Sequence, residues 1–72
     1  ALVFEFMLNA LRLREGVPAA LFTARTGLPL ARIAPSLATL RAEGLLVADE
    51  SRLACTPTGL NYLNSVLQNF LE

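Results

Sequence analysis

The chain has no histidine and no lysine, and among its 72 residues there is a single cysteine. Without histidine it lacks the commonest general base, the commonest protein metal ligand and the usual axial ligand of haem. One cysteine excludes an internal disulfide and any zinc site built from several thiolates. Basic charge is scarce too: six arginines face six acids, for a formal net charge of zero. Nucleic-acid modules gather a basic surplus on one face. Here Arg12 and Arg14 are followed by Glu15, Arg41 by Glu43, and Arg52 stands beside Asp49 and Glu50. The electrostatic attraction behind non-specific DNA affinity is therefore weak. No Gly-rich phosphate loop is present, and no apolar run reaches the roughly 18 residues needed to span a bilayer. The apolar start has neither a basic region nor a cleavage site, so it does not read as a signal peptide. A reduced, cytoplasmic setting is expected.

Apolar side chains are plentiful. They make up 54% of the residues, and the mean hydropathy is +0.51. A chain this short makes one domain, residues 1–72, and hides only about 60% of the surface exposed by its unfolded form. Two readings follow: an Ala- and Leu-rich helical domain, or a piece of a larger protein with one apolar face left bare. The start at Ala1-Leu2-Val3-Phe4, without an initiator methionine, favours the second as an expectation.

Residues 2–14 carry Leu2, Val3, Phe4, Phe6, Met7, Leu8, Leu11 and Leu13. On a helix these cover nearly every side, with Glu5 and Asn9 sharing one narrow polar stripe. Such a helix needs partners on more than one face. Phe4, Phe6, Met7 and Leu8 are therefore the candidate interface with a neighbour. Gly16 is expected to end this helix, Pro18 to open a second, and Gly27 to stop it. Leu21 and Phe22 point inward. Leu30, Ile33, Leu37 and Leu40 recur at helical spacing, but Pro35 cannot donate its amide and collides with the carbonyl of Ala31. A short turn at 30–33 and a third helix from Pro35 to Glu43 are expected.

After Gly44, Leu45–Ala48 and Arg52–Cys55 read as two strands joined by Asp49-Glu50-Ser51. Thr56 before Pro57 is an N-cap with proline at the first helical position. A last helix follows, with Leu60, Leu63, Leu67, Phe70 and Leu71 inward. Its other side, Asn61, Asn64, Ser65, Gln68 and Asn69, is polar but uncharged. Asn61, Asn64 and Gln68 are candidates for a second interface. The expected fold is α+β, mostly helical and winged-helix-like: three helices, a β-hairpin wing and a C-terminal helix.

Cys55 at a strand end reads as a small buried hydrophobe, Met7 as packing, and Tyr62 as a partly buried ring. Arg41 with Glu43 and Asp49 with Arg52 read as surface pairs of small energetic weight. In a helix-turn-helix mode the third helix would read bases through Arg32, Ser36, Thr39 and Arg41. That is a thin reading head, and the wing tip is acidic, so no nucleic-acid partner is expected. A stand-alone DNA-binding or protein-interaction module is the alternative.

The segment Phe4-Glu5-Phe6-Met7-Leu8-Asn9-Ala10-Leu11-Arg12-Leu13 resembles the opening of the C-terminal domain of HemW/HemN-type radical SAM proteins, the oxygen-independent coproporphyrinogen III oxidases and their relatives. The similarity continues through Phe22, Arg25-Thr26-Gly27-Leu28, Ile33 with Pro35 and Leu37, Gly44-Leu45-Leu46, Thr56 with Gly59, and Leu63 to Leu71. Glu5 to Asn9 and the ending Leu63-Asn64 to Phe70-Leu71 look more like the HemW branch. The resemblance implies a parent with an N-terminal radical SAM barrel. There a Cys-x-x-x-Cys-x-x-Cys motif holds a 4Fe–4S cluster and S-adenosylmethionine, and the HemW branch is associated with haem. This chain has no such motif, so no catalytic, cofactor or metal residue carries over to it. With such a parent, the over-apolar first helix leads to the expectation of a non-catalytic domain that docks on the barrel through Phe4, Phe6, Met7 and Leu8 and helps cover it. Self-association of the isolated domain through the bare face is a further expectation.

Overall fold

The computed structural model describes residues 2–71. The architecture is α+β, mostly helical and winged-helix-like. It comprises α1 (Leu2–Leu11), β1 (Val17–Pro18), α2 (Ala20–Thr26), a 3-10 turn (Leu30–Arg32), α3 (Ala34–Ala42), β2 (Arg52–Leu53), α4 (Pro57–Asn61) and α5 (Leu63–Gln68).

The first helix is shorter than its hydrophobicity predicts. It stops at Leu11 because the chain must turn back through residues 12–16 so that β1 can pair antiparallel with β2, Val17 opposite Leu53 and Pro18 opposite Arg52. Gly16 has φ 66° and serves this return rather than capping the helix. A Cβ there would lie 2.1 Å from the Leu53 carbonyl oxygen. Pro18 accordingly belongs to β1 and does not open α2. It sits at the sheet edge, where its missing N–H costs no ladder bond. The Ala19 amide donates to Ser51 O at 2.8 Å and carries the ladder one step further.

The remaining punctuation follows the sequence. Gly27 caps α2 in the left-handed conformation at φ 74°. The Thr26 hydroxyl donates to Phe22 O and accepts from the Leu28 amide. Pro35 lies in the first turn of α3, after the 3-10 turn. Gly44 then ends α3 in a Schellman motif, with the Leu45 amide bonded to Leu40 O and the Gly44 amide to Arg41 O.

The wing is compact. The expected strand Leu45–Ala48 does not form, because Arg52–Leu53 takes Val17–Pro18 as its partner; the two arms of the wing meet only in a single Leu46–Cys55 bridge and in the Val47 amide donating to Ala54 O. The tip closes where the Arg52 amide donates to Asp49 O at 3.1 Å. The Thr56 hydroxyl caps α4 by accepting from the Gly59 amide at 3.0 Å, and it donates to Gly44 O at 2.6 Å.

The expected single last helix is broken at Tyr62, whose φ, ψ of −118°, 33° are not helical. The start of α4 is pinned against the hairpin, since a Cβ on Gly59 would lie 1.9 Å from Leu45 O. Val66, Leu67 and Phe70 must nonetheless reach the core beside α1. The break at Tyr62 lets both segments find their places.

The core joins Val3, Met7 and Leu11 of α1 to Phe22, Ile33, Leu37, Leu40, Leu46, Leu53, Val66, Leu67 and Phe70. Among the described residues it contains no buried polar or charged side chain.

Candidate docking surface

The buried stripe of α1 is Val3, Met7, Ala10 and Leu11, the i, i+4, i+7, i+8 pattern of one helix face. Met7 is 0% exposed. It therefore leaves the candidate interface, because its side chain is enclosed by the chain's own core. Phe4 and Phe6 are half-buried, while Leu2, Leu8 and Leu13 are 50%, 38% and 44% exposed. The predicted patch is not one surface. With about 3.6 residues per turn, Phe4 and Leu8 share one flank of α1 and Phe6 lies on the other, where Leu13, just past the end of the helix, joins it. Glu5 and Asn9 run between them.

On the Phe6 flank, α1, β1 and α2 enclose a shallow groove of about 240 Å³, lined by Phe6, Ala10, Leu13, Val17 and Leu21, with Asn9 and Arg25 also bordering it. The Phe6 ring meets Phe22 edge-on, at a centroid distance of 5.5 Å and an interplanar angle of 84°, which fixes its position. Sequence reading found Phe6 and missed the groove. Helical periodicity of α1 cannot reveal that β1 brings Val17 alongside Leu13 and Leu21.

Asn61, Asn64 and Gln68 are all exposed. The break at Tyr62 separates Asn61, on α4, from Asn64 and Gln68, which lie one turn apart on α5. Asn69 donates to the carbonyls of Ser65 and Val66 in its own helix. Tyr62 is 60% exposed rather than partly buried.

The helix-turn-helix candidates do not assemble into a reading head. Arg41 is turned toward the wing, its Nε and one terminal nitrogen each 3.1 Å from the carbonyls of Val47 and Arg52. The Ser36 hydroxyl donates to Asn69 O. Arg32 and Thr39 remain exposed, and the outward side of α3 is otherwise Ala34, Pro35, Ala38 and Ala42. The groups of the expected surface pairs make their hydrogen bonds elsewhere: Arg52 donates to Glu15 O, and Asp49 accepts from the Ser51 amide and hydroxyl at 2.9 and 2.7 Å. Those two bonds, the hydroxyl foremost, hold the Asp49 carboxyl below its ordinary pKa.

Cys55 is buried, and burial pushes its thiol pKa up. It is a packing residue with little thiolate character near neutral pH. Among the described residues no three His, Cys, Asp or Glu side chains gather as a metal site. No helix of the described residues is long and apolar enough to cross a membrane.

A small, mostly helical domain with a closed apolar core, a capped wing and leucines left exposed on and just after its first helix is the class these features define. The chain belongs to the HemN C-terminal domain family, whose model matches residues 1–62. It is accordingly part of a larger HemN-like chain. No curated protein and no solved structure matches it.

Proposed function

We propose that this domain docks through α1 on the catalytic barrel of a radical SAM parent and helps cover the mouth of that barrel. The observation that carries the reading is the set of exposed leucines on and just after α1: Leu2 and Leu8 on the helix and Leu13 in the turn that follows it remain exposed although the helix already fills the core with its opposite face. Covering a radical site matters because water diverts reactive intermediates and weakens the electrostatics of the pocket. The 4Fe–4S cluster, S-adenosylmethionine and any haem belong, in this reading, to the rest of the parent chain. In this reading the parent works on porphyrin or haem in the cytoplasm. The segments Glu5–Asn9 and Leu63–Leu71 favour the HemW-like, haem-delivering branch over a true oxidase.

Separately expressed barrel and domain halves should co-elute as a stoichiometric complex on size exclusion. The domain alone should bind an exposed-surface dye that the complex does not. Absence of both complex and dye binding would sink the reading. A cysteine triad of the Cys-x-x-x-Cys-x-x-Cys type upstream in the parent gene is required as well.

A second reading is a protein-interaction module acting through the exposed, uncharged Asn61, Asn64 and Gln68. In that case Asn61→Glu with Gln68→Glu abolishes capture of a haem acceptor or membrane partner while leaving the circular dichroism unchanged.

A further inference from the structure

We propose that the groove between α1 and α2 seats an acidic, amphipathic segment of the parent HemN-like chain. One apolar side chain of that segment enters between Phe6, Leu13 and Leu21, and its carboxylate pairs with Arg25. The proposal rests on the docking reading above and assigns the contact to one flank of α1.

Three observations lead there. The floor of the groove is preformed, because Phe6 is braced edge-on by the fully buried Phe22. Rigid aromatic and leucine walls favour insertion of an apolar anchor, since little ordering entropy is lost on binding. The groove also does not suit strand addition. Val17 is already paired with Leu53, and its neighbour Pro18 has no N–H to offer a further strand. Finally, Arg25 has no hydrogen bond or ion pair among the described residues, as is true of Arg12, Arg14 and Arg32, but it is the arginine that borders this apolar site. An unpaired guanidinium beside an apolar slot complements a carboxylate placed near an apolar side chain. The fork geometry of arginine fixes the register of such a pair. The apolar anchor supplies affinity, and the charge supplies orientation.

The test uses the full-length parent protein carrying single cysteines, with maleimide labelling followed peptide by peptide by mass spectrometry. Leu13→Cys reports the groove, Leu8→Cys the opposite flank of α1, and Thr39→Cys the exposed side of α3 as reference. Leu13→Cys is expected to react at least tenfold more slowly than Thr39→Cys, and adding Arg25→Glu should restore most of that rate. Protection at Leu8 alone overturns the groove assignment and leaves docking intact. Fast labelling at both positions overturns docking itself. Protection at Leu13 that is indifferent to Arg25→Glu removes the acidic partner. Protection that grows with protein concentration assigns the groove to a second copy of the chain instead. Arg25→Gln, with an intermediate effect expected, guards against a rate change caused only by the reversed charge.

Discussion

At the scale of single residues, glycine and threonine set the geometry of the wing. Gly59 must lack a side chain because α4 begins against the Leu45 carbonyl. Gly59→Ala should lower stability by at least about 2 kcal/mol in urea unfolding, since the oxygen it meets belongs to backbone and cannot step aside. Gly27 meets nothing within reach of a Cβ, so Gly27→Ala carries only the left-handed backbone penalty, about 1 kcal/mol. Thr56→Ala removes a cap and should cost about 1 kcal/mol. Cys55 makes stability depend on alkaline pH. Its folded thiol pKa is raised above the unfolded value of about 8.5. The contribution is therefore complete below that pH and is lost as pH rises through the folded value. Thermal melts between pH 8 and pH 10 should show the decline in the native protein and a flatter profile in Cys55→Ala. Gly27, Thr56 and Cys55 announced themselves in the sequence as punctuation or as a lone thiol, whereas the demand on Gly59 arises only when folding brings Leu45 against it. The sequence was silent about Arg41. Its two carbonyl partners lie across the wing and become neighbours only on folding.

At the scale of elements, α1 does two jobs at once. Its inner face is core, so Met7→Ala should cost about 3 kcal/mol. The exposed Leu8 on its outer face and Leu13 just beyond its end are only partly covered, so Leu8→Asn and Leu13→Asn should each cost less than about 1 kcal/mol. Equal losses at Met7 and Leu13 would show that the outer flank is structural after all. The sequence marked α1 as over-apolar, and that was legible because periodicity is a local property. The division of Phe4 and Leu8 from Phe6 was legible too, in principle, from the helix pitch. Two other features were hidden. The strand β1 is only Val17–Pro18, too short for any alternation to register, and the proline there reads as a helix opener. The break at Tyr62 has no glycine or proline to signal it. It arises because α4 is held by Leu45 while α5 is held by the core.

For the whole molecule, neutral charge and an outer side of α3 built largely of alanines offer duplex DNA little basic surface. A gel shift at low salt should show no retardation of duplex DNA at micromolar protein. The exposed leucines of α1 point toward protein contact. Sedimentation of the isolated domain should reveal concentration-dependent association, which Leu2→Asn with Leu13→Asn reduces. A strictly monomeric domain at every concentration would speak against a sticky α1.

The amino-acid sequence by itself determined the fold class, the family, the order of helices and wing, and the surplus of apolar side chains on α1. Each of these rests on composition, on period, or on a capping residue acting within a few positions of itself. The tertiary structure alone decided which of those side chains are free. Met7 went inside, Leu8 and Leu13 stayed out, and Val17 came to stand beside Leu21 in a groove bordered by Arg25. Exposure depends on which distant segments arrive to cover a face. That is settled by the pairing of β1 with β2 and the docking of α5, interactions between residues far apart in the chain.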